Sequence, residues 1–157
     1  MLKRPALDPE TLELKSQGGY PAPFDKVTEG RRKRNLSPVL GLTQFGVNLT
    51  ELLPGSASAL RHWHSHEDEF IMVVSGEVVL VTDRGEQVLT TGMVAGFPAG
   101  KQDGHCVQNK SDKPAMILEV GSRNMLDEGN YPDVDLHCQA GRYEGAQFIR
   151  KDGTPIG

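Results

Sequence analysis

Between residues 40 and 122 the chain is cut into short apolar runs, with a turn signal roughly every ten residues. Residues 44–52 alternate apolar and polar side chains at period two, the mark of a strand with one buried face. Glu69–Ser75 and Glu77–Thr82 are apolar, β-branched runs separated by the single Gly76, which signals a sharp turn or bulge. Asp83-Arg84-Gly85 and Thr91-Gly92 make the corners around a short strand at 86–89, and residues 94–98, 105–109 and 115–120 continue the series. This rhythm predicts an all-β sandwich or small barrel. Composition agrees, because 18 Gly and 10 Pro against 1 Trp, 3 Tyr and 5 Phe favour many turns over a helical bundle.

A length of 157 residues suits one domain with one core. Three zones are expected: an N-terminal arm over 1–38, a barrel over 39–122 and a C-terminal extension over 123–157. Within the arm, residues 9–15 hold one or two helical turns, and Gly18-Gly19-Tyr20-Pro21-Ala22-Pro23-Phe24 reads as extended chain. Tyr20 and Phe24 are expected to cover a sheet face or edge, and apolar surface on such arms argues for a homodimer. The basic run Arg31-Arg32-Lys33-Arg34 reads as a solvated loop. Four cations without aromatic neighbours leave a small electrostatic footprint, and the net charge of −4 argues against a nucleic-acid partner. In the extension, residues 133–138 read as a last edge strand and 148–155 end in a turn.

No stretch approaches the roughly 20 apolar residues of a membrane helix, so no membrane partner is expected. Residues 1–10 carry no apolar run after their basic pair, and Cys106 and Cys138 make no disulfide framework. A reducing cytoplasm is the expected compartment.

Chemistry concentrates in Arg61-His62-Trp63-His64-Ser65-His66-Glu67-Asp68-Glu69. Side chains two apart on a strand share a face, so His62, His64 and His66 can look the same way. Two imidazoles at that spacing can approach one ion, and Glu69, past a corner, can add a carboxylate oxygen. Such donors suit a divalent transition metal (iron, manganese, nickel or zinc) and fit calcium or magnesium poorly. His66 is open between a third ligand, a supporting partner and an exposed turn, and a second register pairs His64 with His66. Trp63 and Arg61 fall on the opposite face from the histidines. Cys106 alternates away from His105 and reads as a buried, inert thiol. Lys101 and Gln102 are candidates to line the mouth of a site and bind an anion.

The segment Gly55, six residues, His62-Trp63-His64, four residues, Glu69, six residues, Gly76 resembles the first signature of the cupin superfamily. Gly92, five residues, Pro98-Ala99-Gly100, four residues, His105, three residues, Asn109 resembles the second. The flanks, with a Gly-Tyr-Pro-Ala-Pro-Phe arm and a tail containing Asp-Gly-Thr-Pro, are similar to a small single-domain cupin group. Its members are often described only as cupin-domain proteins or as sugar-phosphate isomerases. The resemblance implies a double-stranded β-helix, a jelly-roll barrel, with metal ligands His62, His64, Glu69 and His105. This chain departs from the pattern at four places. Its first glycine stands one residue further from the histidine, and two extra residues lengthen the loop within 101–104. Met93 replaces a frequent Asp, and Met72 a frequent Tyr.

The expected function is a metal-binding cupin acting on a small polar molecule, with sugar-phosphate isomerisation as the reaction. The alternatives are a non-haem metal dioxygenase and a non-catalytic small-molecule sensor.

Overall fold

The computed structural model describes residues 4–16, 18–145 and 147–156; Met1, Leu2 and Lys3, at the head of the stretch read for a leader, lie outside them. In the arm, a single 3-10 turn at Pro9–Thr11 stands where one or two helical turns are expected, capped by Asp8 accepting from the Glu10 N–H at 3.0 Å. β1 (Lys15–Ser16) and β2 (Arg31–Asn35) follow, then the five-residue α1 (Leu36–Leu40), closed by Gly41 in the left-handed region, and β3 (Phe45–Leu52). The barrel continues through β4 (Trp63–His64), β5 (Glu69–Ser75), β6 (Glu77–Thr82), β7 (Gly85–Thr90), β8 (Val94–Phe97), β9 (Cys106–Gln108) and β10 (Ala115–Ser122). β11 (Gly129–Asn130), β12 (His137–Cys138) and β13 (Phe148–Ile149) complete the chain. The all-β expectation holds.

An antiparallel six-stranded sheet, ordered β1-β2-β3-β10-β5-β8, faces a three-stranded sheet, β7-β6-β9. Period two decides which side chains meet between them. On β5, Ile71 and Val73 are buried while Phe70 and Val74, half a pleat away, are exposed. Ile71, Val73, Leu52 and Ile117 from the larger sheet pack on Val78, Leu80, Leu89 and Val107 from the smaller one. Glu69 has the same parity as Ile71, so the strand that supplies the core also turns this carboxylate inward.

Two expectations are corrected. The basic run at 31–34 is no loop but β2, paired with β3 along its length. Alternation sends Arg31 and Lys33 to the inner face, where Lys33 meets Glu119 at 2.8 Å, while Arg32 pairs with Glu51 and Arg34 with Glu10. The basic run thus finds acidic partners within its own chain. Residues 133–138 do not form a sheet edge. β12 is an inner strand of a four-stranded sheet, β13-β12-β11-β4, because β13 pairs beyond it. Tyr20 and Phe24 cover a sheet as expected, packing on Tyr131, Leu136 and Cys138 of the extension, with Phe148 and Ile156 beside them. The sheet they cover belongs to their own chain.

Gly76 turns β5 into β6 with φ at +82°, and a Cβ there would stand 3.0 Å from Ala115 Cα and 3.1 Å from the Pro114 carbonyl. Both the conformation and the close approach demand glycine. Gly76→Ala is expected to destabilise the fold by about 2 kcal/mol or more, read as a lower urea midpoint with unchanged slope.

Candidate metal centre

Two distant stretches are joined by a single isolated antiparallel bridge. His62 N–H donates to the His105 carbonyl at 3.0 Å, and His105 N–H donates back to His62 at 2.8 Å. His62 and His64 then share a face, and Glu69 comes up from the start of β5. All three imidazoles turn Nε2 toward the Glu69 carboxylate, His105 at 2.7 Å and His62 and His64 at 3.4 Å each. His62, Glu69 and His105 each offer a ligand atom within 4.8 Å of the others.

For His62 and His64, what holds the far side of the ring fixes its tautomer. His62 Nδ1 lies 2.8 Å from the Leu60 carbonyl, which can only accept, so Nδ1 carries the proton and neutral His62 keeps its Nε2 lone pair facing the centre. His64 Nδ1 meets the fully buried Asp127 carboxylate at 2.6 Å, and Asp127 also accepts the N–H groups of His66 and Glu67. The His105 ring stacks on Phe97 at 3.5 Å with an interplanar angle of 2°. Its Nδ1 is buried without a hydrogen-bond partner among the described residues.

Burial would raise the Glu69 carboxyl, but the imidazoles of His62, His105 and His64 hold it well below the usual carboxylate range. Burial works the other way on His64. There the Asp127 and Glu69 carboxylates outweigh it and hold the imidazolium up to about 9. Burial keeps His105 below its ordinary value despite Glu69. An anion ringed by three imidazoles, two of them anchored from behind at Nδ1, is a donor set suited to a divalent transition metal, and the residues present fit such an ion.

His62, His64, Glu69 and His105 are thus brought together, and His66 is not. Its side chain is exposed, with Nδ1 at 2.8 Å from Ser65 Oγ, and the His64/His66 register gains no support. Arg61, expected to face away from the site, does so and ties Asp133 at 2.8 Å and Asp83. The sequence reading missed the residues of the extension. Asp127 anchors His64, while Arg142 and Tyr143 engage Glu67, which is 1% exposed. Nothing local marks these residues, since they reach the site only through the pairing of β11 with β4. His64, Glu67 and Asp127 form a second group with metal-ligand spacing. Arg142 already supplies the positive charge there, pairing with Glu67 and lying 4.0 Å from Asp127.

Two cavities adjoin the centre. One, of about 250 Å³, is bounded by His64, Glu69, His105 and Phe97, with Trp63 on its wall and Lys101 at its rim. Lys101 takes its expected place, whereas Gln102 is exposed and does not line this cavity. The other, of about 290 Å³, runs from His62 and Glu69 past Tyr20, Lys33, Glu119 and Tyr131.

Residues 48–121 match the family model of the Cupin domain. A solved structure from Silicibacter pomeroyi DSS-3, a sugar phosphate isomerase from the cupin superfamily, is 41% identical to the chain. It superposes with a TM-score of 0.92 over 98% of this chain and 97% of that one. This protein is a cupin. A structure from Acidithiobacillus ferrooxidans ATCC 23270 (23% identity, TM-score 0.72, 81% of this chain and 80% of that one) shares the fold. So does the polyketide cyclase RemF from Streptomyces resistomycificus (19% identity, TM-score 0.63, 78% and 80%). No match was found among curated proteins. No helix among the described residues is long and apolar enough to cross a membrane.

The second signature of this cupin carries Cys106 beside His105, and the structure leaves that thiol 4% exposed and pushed up to about 11 by burial. The native protein is therefore expected to resist iodoacetamide at Cys106 at pH 8, with labelling only after denaturation, as read by peptide mass spectrometry.

Proposed function

We propose that this cupin is a metal-dependent enzyme for small polar molecules, and that its reaction is the isomerisation of a sugar phosphate. The convergence of three imidazole Nε2 atoms on Glu69, between two cavities, carries the proposal. The likeness to the Silicibacter structure, named a sugar phosphate isomerase, supports it. His62, His64, His105 and Glu69 would hold iron, manganese, nickel or zinc. When bound, such an ion supplies Lewis-acid polarisation of a carbonyl or hydroxyl oxygen.

The chain's own residues do the rest. Isomerisation by proton transfer takes a proton from one carbon and returns one to its neighbour, which needs a general base beside the substrate, a role a carboxylate can fill. Apart from Glu69, the acid lining the larger cavity is Glu119. It accepts from Lys33 Nζ at 2.8 Å and Thr50 Oγ1 at 2.6 Å, which hold the carboxylate in place on the cavity wall. The apolar wall of Phe97, Leu80 and Ala95 limits water around the substrate in the smaller cavity.

Elemental analysis is expected to find about one transition-metal ion per chain in the purified protein, and background levels in His64→Ala and His105→Ala. NMR of a panel of aldose and ketose phosphates should then show interconversion by the wild type. Oxygen uptake in place of interconversion would replace this reading by the dioxygenase. Ligand-induced thermal stabilisation without turnover would replace it by the sensor.

Metal uptake should depend on pH in a set direction. Below about 9 the metal-free His64 keeps its proton, which an incoming ion has to displace. Apparent affinity is expected to rise from pH 6.5 to 9 and then level off, as followed by competition with a chelating dye. Asp127→Asn should weaken uptake by about tenfold or more.

A further inference from the structure

We infer that Arg84 and Lys101 form the anion-binding end of the substrate site, taking the phosphate of a small phosphorylated sugar in the smaller cavity. This rests on the proposed metal-dependent reading and names the group by which the substrate is held. Both side chains line the 250 Å³ cavity that opens from His64, Glu69 and His105. A cavity of that size suits a small metabolite more than a drug-sized ligand.

The charges around this cavity are unequally committed. Asp103, at the rim, accepts the Asp83 N–H at 2.8 Å, and the Asp83 carboxylate pairs with Arg61. Glu67 is engaged by Arg142 and Tyr143, and Glu69 by the three imidazoles. Arg84 and Lys101, by contrast, make no side-chain hydrogen bond or ion pair among the described residues. Most other cations packed around the barrel, including Arg32, Lys33, Arg34, Arg61 and Arg142, have acidic partners. Both cations are exposed, and of the carboxylates lining the cavity Asp103 has no cation against it among the described residues, so Arg84 and Lys101 leave this cavity a net positive charge that suits a phosphate monoester.

The loops that carry them are fixed relative to the centre. Gly100 N–H donates to the His64 carbonyl at 2.8 Å, one residue before Lys101. The Asp83–Asp103 bond, together with Arg61 reaching the Gly104 carbonyl at 3.2 Å, ties the turn of Arg84 to the loop of Lys101. The two residues by which this loop exceeds the usual cupin pattern fall within that clasp. A substrate with its phosphate here would extend toward His64, Glu69 and His105, which line the same cavity.

Trp63 is the single tryptophan and lines the same cavity, so its fluorescence reports occupancy directly. Titrations of purified protein of measured metal content should use glucose 6-phosphate, glucose, glucuronate and inorganic phosphate. Glucose 6-phosphate is expected to bind roughly tenfold or more tighter than glucose, and the Arg84→Gln/Lys101→Gln double variant should lose that preference with metal content and melting temperature unchanged. Glucuronate binding as tightly as glucose 6-phosphate would overturn the assignment to phosphate. Equal affinity for glucose and its phosphate, no binding of either, or a preference kept in the double variant but lost in Arg123→Gln at the other cavity would overturn the subsite. Tight, Arg84- and Lys101-dependent binding without interconversion would leave the subsite standing and remove the isomerase reading alone.

Discussion

The centre depends on one exchange of backbone hydrogen bonds, between His62 and His105. These residues are far apart in the chain, and neither lies within a long strand. Without the bridge, the two signature segments would each carry imidazoles with nothing to aim at. Their reciprocal bonds place the rings at 4.7 Å between centroids, and the rest of the site is built around that pair. Leu60 and Asp127 set the tautomers, Phe97 flattens against one ring, and Glu69 fills the middle with a charge that burial alone would not tolerate.

Much of this was legible in the residues because strands obey a period of two. The same alternation that put Ile71 and Val73 in the core predicts that Glu69 faces inward, and it pairs His62 with His64. The reading failed where alternation was not applied. Arg31 to Arg34 looked like an exposed basic run because its strand partner β3 lies well downstream, yet every second residue of it faces the barrel interior. The resemblance to known signatures supplied His105, which spacing alone could not attach to the others.

What the sequence concealed are the residues whose roles exist only after long-range pairing. Asp127 sits in an irregular stretch with no periodicity, and its value comes from β11 lying against β4. Arg142 and Tyr143 stand in a 3-10 turn far along the chain, yet they pair with the buried carboxylate two residues before Glu69. A carboxylate behind a histidine is a common arrangement at metal centres, but nothing in one sequence says which of 21 acidic residues will take that place.

The packing of Tyr20 and Phe24 on Tyr131 and Phe148 bears on when the site is completed during synthesis. The last barrel strand ends at Ser122, and the residues that anchor His64 and cover the arm, from Asp127 to Phe148, all follow it in the chain. Covering the arm's rings and anchoring His64 thus fall to the same late segment, and an ion arriving before it has folded would meet a looser set of ligands than the finished protein presents.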